Sequence, residues 1–132
     1  MLNRIKPLIS RLDPIKRIHV KTYISNAKNR LEQRTLATVQ GELNSLYQGI
    51  RSVDSVVQNN ASSTSTKRAT RKRDQLLVQY WSTAAAAASV QNNDELFRVY
   101  EDSAFINHSD VSALPNPTNI VEQLGLAAYA NR

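Results

Sequence analysis

Lys67-Arg68-Ala69-Thr70-Arg71-Lys72-Arg73 holds five cations in seven residues, and it is the stretch of this sequence with the plainest chemical content. Its chemistry is anion capture: guanidinium and ammonium groups pair with phosphate, as do the free N–H groups at a helix start. An apolar, alanine-rich segment follows (Leu76, Leu77, Tyr80, Trp81, Ala84 to Ala88), so the run is expected to open a long helix. There it would oppose the helix dipole, whose N-terminus already carries about +0.5 charge. An external polyanion would relieve that conflict. The competing reading is a solvated charged turn.

Other chemistry finds little support. His19 and His108 are the only histidines and lie far apart, and nothing around them has metal-ligand spacing. His108, Ser109 and Asp110 are neighbours in sequence, but a catalytic triad needs convergence in space. Glu101-Asp102 reads as an exposed helix face, since no pocket is implied around it. Three glycines (Gly41, Gly49, Gly125) cannot build a phosphate-cradling loop, and the absence of cysteine excludes disulfides and thiolate sites. The chain reads as non-enzymatic, with no catalytic, cofactor or metal site.

The placement of charge favours a polyanion. Residues 1–73 carry 15 Lys/Arg against 4 acids, whereas residues 74–132 carry 2 against 7, so the overall +6 is split into +11 and −5. Such asymmetry is the footprint of a surface that meets nucleic acid. The candidate phosphate contacts are Arg4, Lys6, Arg11, Lys16, Arg17, Lys21, Lys28, Arg30 and Arg34 in the first third, then Lys67, Arg68, Arg71, Lys72 and Arg73. Aromatics are only 6% of residues and none interrupts the basic run, which argues against base stacking on single strands. Binding is expected to be backbone-driven and indifferent to sequence. Its log affinity should fall by about 0.9 per neutralised duplex phosphate per decade of salt.

The elements that must position these cations are helical throughout. A short basic helix is expected over residues 2–12. Asp13-Pro14 then reads as a cap followed by proline at the first helical position. Val20, Ile24, Ala27 and Leu31 form a narrow apolar stripe. Arg17, Lys21 and Lys28 flank one side of it, and Lys16, Arg30 and Arg34 the other. Such a helix suits a partner and a polyanion together, or an anionic membrane surface. A break is expected near Arg34.

The strongest period is Leu36, Val39, Leu43, Leu46, Ile50, Val53 and Val57, alternating steps of three and four. It predicts one helix with a buried face, although Gly41 and Gly49 each weaken it by about 1 kcal/mol. Residues 58–66 are expected to be a polar loop. The alanines Ala84 to Ala88 mark close helix–helix approach. Asn92-Asn93 interrupts, Asp94 caps a further helix, residues 107–118 should be loop, and Asn119 with Glu122 starts the last helix. The expected fold is all-α, a small bundle of four to five helices. Residues 1–34 form a basic N-terminal helical arm, and residues 35–132 form the bundle that carries the basic segment 67–73.

In its length, lack of cysteine, basic helical first third and helical remainder, the chain resembles the major coat proteins of filamentous and rod-shaped archaeal viruses. The resemblance is one of architecture and composition over the whole chain. It implies basic helices wrapped around double-stranded DNA, location in the virion, pairing with itself or a paralogous coat subunit, and an outer helical shell. The internal cluster at Lys67–Arg73 departs from binding through an N-terminal arm alone.

Two other classes fit the same residues. A phage-type head, neck or ejection assembly protein would use the basic surface on an acidic protein and the heptad helix as interface. A peripheral membrane protein would use the amphipathic first third on anionic lipid.

Overall fold

The computed structural model describes residues 14–32, 35–59, 63–106 and 111–130. Among them are five α-helices, one short 3-10 turn and no strand: α1 (Pro14–Leu31), α2 (Leu36–Asn59), α3 (Ser63–Val90), α4 (Asp94–Ile106) and α5 (Pro117–Ala130), with the 3-10 turn at Val111–Ala113. The protein is an all-α bundle, as its periodicities predict.

α3 is the axis of the bundle, and α1, α2 and α4 all pack on it. Ala84 to Ala88 explain why it can be central. Five consecutive residues sweep more than a full turn, and each is at most 4% exposed. A helix buried on every side must be thin, and methyl side chains let three neighbours approach its backbone at once. Below this waist lies an aromatic row. Tyr80 meets Trp81 edge-on at 5.5 Å between ring centres, Trp81 stacks on Tyr100 of α4 at 5.9 Å, and Tyr47 of α2 lies 6.3 Å from Tyr80.

The buried phenols are tied down at their polar ends. Tyr80 donates to the Pro115 carbonyl at 2.6 Å, and Tyr100 donates to the Gln123 side chain. These bonds fasten the 111–130 segment to the bundle. Burial pushes the Tyr100 phenol up to about 12, and raises Tyr80 further with help from Tyr47 and Tyr100.

The stripe on α1 is buried as its spacing predicts, with Val20, Ile24, Ala27 and Leu31 all in the core. This corrects the expected arm. Residues 14–31 are a full member of the bundle, because burying four apolar side chains against α3 is worth more than leaving them for a partner. Residues 1–13, with the expected helix over 2–12, lie outside the described residues. The same burial removes Val20 and Ile24 from any membrane-facing role, and no described helix is long and apolar enough to cross a membrane.

The stripe on α2 is buried at Val39, Leu43 and Ile50 and half-buried at Leu36, Leu46, Val53 and Val57.

α2 begins just after the expected break near Arg34, with Thr35 as its cap, its Oγ1 accepting from the Thr38 N–H at 3.3 Å. Elsewhere, helix boundaries differ from expectation at three places. α2 runs on to Asn59 and α3 starts at Ser63, so the expected loop over 58–66 is much shorter. Asn93, not Asp94, caps α4 through the Leu96 N–H at 3.0 Å. α5 begins at Pro117, capped by Asn116 through the Asn119 N–H at 2.9 Å, two residues before the expected start.

The end of α3 closes in a Schellman motif. Asn92 takes a left-handed φ of 59°, the Asn93 N–H reaches the Ala88 carbonyl, and the Asn92 N–H reaches Ser89.

Candidate nucleic-acid interface

Of the fourteen candidate cations, Arg4, Lys6, Arg11 and Arg34 lie outside the described residues, and Lys16 is described only as part of the α1 backbone. The other nine sort into three groups.

The first group stands on α3. Because the helix begins at Ser63, the basic run starts in its second turn and not at its tip. The dipole conflict is therefore weaker than the sequence suggested, since that field fades within the first turn. What the helix supplies instead is direction. At 100° per residue, Lys67, Arg68, Arg71 and Lys72 fall within an arc of about 140°, and all four are exposed. Among the described residues none of them is in ion-pair contact with a carboxylate. Lys67 with Arg71, and Arg68 with Lys72, are like-charge pairs four apart, each costing a few tenths of a kcal/mol.

Arg73 points the other way and is a correction to the expected site. It is 8% exposed and donates to Asp54 of α2 at 3.0 Å, with a longer contact to Asp74 at 3.4 Å. Its rotation about the helix axis turns it into the α2–α3 seam, where its charge is already matched. It holds the bundle together and is not free for phosphate.

The second group lines α1 toward α4. Arg17 and Lys21 lie close enough to Glu101 for their fields to act on it. Burial is the main influence on that carboxyl and raises its pKa; Asp102 adds to the rise, and the two cations oppose it. Lys28 continues the same side of the helix and is exposed.

The third group is Arg30, on the opposite side of α1. Its Nε donates to Glu42 of α2 at 2.7 Å. Arg17 and Lys21 on one side of α1, and Arg30 on the other, thus lie beside acids of the bundle, which offsets part of the positive excess of the first third.

One cation was missed. Arg51 is exposed on α2, one turn before the Asp54 that holds Arg73, so it belongs to the same end of the α2–α3 pair as the basic run. Its Nη1 donates to the Tyr47 hydroxyl at 3.2 Å and its guanidinium lies 5.7 Å from that ring's centre. Nothing in the spacing of an isolated arginine on an apolar-striped helix marks it. Only the antiparallel pairing of α2 and α3 does.

No protein-family model, curated protein or solved structure matches this chain. The reading of the surface therefore rests on its own charge and geometry. Among the described residues there is no group of His, Asp and Glu arranged to hold a metal ion. Glu101-Asp102 sits half-buried against α1, rather than on the open face expected.

Proposed function

We propose that this chain is a structural coat protein that packages nucleic acid, double-stranded DNA, through sequence-independent phosphate contacts, working in a large assembly of itself or with a paralogous subunit in a virion. The supporting observation is the exposed row Lys67, Arg68, Arg71 and Lys72 on one face of the central helix, without an ion-pair partner among the described residues. Four cations that repel each other within one helical face carry a standing electrostatic cost, and a row of phosphates removes it. Arg51 adds to the same end. The rigid seat matters as much as the charge. Arg73 pairs inward with Asp54, so the face is fixed to α2 and cannot swing away from the bundle.

The test is binding of the purified chain to random-sequence duplexes across a salt series. Four to five phosphate contacts from this face predict a slope of log affinity against log salt of about −4. The slope should shrink by about 2 when Arg68 and Arg71 both become Gln, with no change in preference between sequences. Binding that ignores salt, or that survives this double substitution unaltered, would remove the face from the proposal.

A further inference from the structure

α1 and α2 follow each other in sequence, and both pack on α3, yet they scarcely touch each other. Between them lies a cleft of about 470 Å³ with α3 as its floor. The size is that of a small-molecule site.

Its lining is unusual for a gap between bundle helices. α1 contributes Tyr23, Asn26 and Arg30, α2 contributes Glu42 and Ser45, and the floor holds Gln79 and Ser82. Ser82 is 1% exposed, and its hydroxyl, with almost no surface of its own open, has no hydrogen-bond partner among the described residues. A buried hydroxyl is rarely left in that condition. Nearby on the floor, Thr83 satisfies itself on the Gln79 carbonyl at 2.8 Å, so an internal solution is available to hydroxyls on this helix and Ser82 does not use it.

We propose that this cleft binds a small uncharged polyhydroxylated molecule, a free mono- or disaccharide. Three features choose that class. Among the described residues the only charges in the lining are Arg30 and Glu42, which neutralise each other at 2.7 Å, so neither a simple anion nor a simple cation gains a net partner. The remaining polar groups are amides and hydroxyls, which donate and accept in equal measure, as sugar hydroxyls require. Tyr23, with Ala27 and Leu46, supplies flat and apolar surface for the C–H face of a sugar ring. The Arg30–Glu42 bridge also spans the gap from α1 to α2, so a helix of another subunit could not lie along it without breaking that pair. The site is about two turns along α3 from Lys72 and does not depend on the phosphate-binding face.

The experiment is saturation-transfer NMR on the intact protein with glucose and with maltose, paired with melting curves in the same sugars. Inorganic phosphate and betaine serve as controls. The expected result is a saturable transfer signal for sugar ring protons and a Tm that rises to a plateau. Both should be lost in Asn26→Leu and in Ser45→Leu, which change exposed positions and leave the core alone. Ser82→Ala, which removes a hydroxyl with almost no surface open to the cleft, should keep both the fold and the sugar signal. A Tm that climbs linearly with sugar and equally in every variant reflects solvent exclusion and overturns the proposal. So does a response to phosphate alone.

Discussion

Arg73 Nη1 donates to Asp54 Oδ1 at 3.0 Å, while Lys72, its neighbour in sequence, is exposed about 100° around the same helix. One residue of helical rotation therefore separates a cation that holds two helices together from a cation available to a ligand. The pair is mostly withdrawn from water, with 10% and 19% of the two side chains exposed, so removing one partner strands the other. Arg73→Gln should lower stability by about 1–3 kcal/mol and leave the salt dependence of DNA binding unchanged. Arg68→Gln with Arg71→Gln should do the reverse. Chemical denaturation and a salt series on each variant would decide, and equal behaviour of the two variants would contradict the inward placement of Arg73.

Gly41 lies on the exposed side of α2, and a Cβ built there meets nothing within 4 Å. The backbone is helical and needs no glycine. Gly41→Ala should therefore raise stability by about 1 kcal/mol, seen as a Tm higher by about 4 °C. A loss of stability would mean that this face is covered in a way the isolated subunit does not reveal.

The alanine waist should resist enlargement more than any other segment. Ala86 is fully buried where three helices converge on α3. Ala86→Leu should cost at least about 1–3 kcal/mol, whereas a leucine at exposed Ala37 on α2 should cost almost nothing. Urea midpoints for the two variants make the comparison. A tolerant Ala86 would show that the helices do not close around it.

Alkaline pH should loosen the bundle in a defined window. The ordinary tyrosine pKa is about 10, and burial holds Tyr100 up at about 12 and Tyr80 higher still. Below pH 10 both phenols are neutral whether the chain is folded or not, and their contribution is intact. Above it the unfolded chain sheds protons that the folded chain keeps, so stability falls as pH rises. Melting temperature should decline from about pH 10 toward 12, and Tyr80→Phe should flatten that decline. Phenolate absorbance from Tyr80 or Tyr100 appearing near pH 10 in the folded protein would refute the burial argument.

Periodicity carried most of the fold. The stripes Val20, Ile24, Ala27, Leu31 and Val39, Leu43, Ile50 are buried where their spacing put them, because burial on one helix face is a local property of sequence. Caps were harder to read. Proline at the first helical position marks the start of α1 at Pro14 and equally that of α5 at Asn116-Pro117, where the capping-box pattern of Asn119 and Glu122 three residues later competes with it. Asn93 and Asp94 are both good caps by residue type, and only hydrogen-bond geometry separates them.

The candidate site was legible as a composition and not as a surface. A run of five cations in seven residues does not say which of them turns inward; that needs the position of Asp54, nineteen residues earlier on another helix. Arg30 shows the same limit, since its partner Glu42 comes from beyond a helix break. The cleft was invisible in sequence altogether, because it arises from two helices that share a third and avoid each other.

α3 is 28 residues long, about 42 Å from end to end, and it is gripped around its whole circumference at the alanines. The alanines sit in its last third, so the helix is a beam held near one end, with Lys67 to Lys72 at the far part of its span. A load on those cations must be borne as bending over the length between, and the Arg73–Asp54 pair is the prop that resists it.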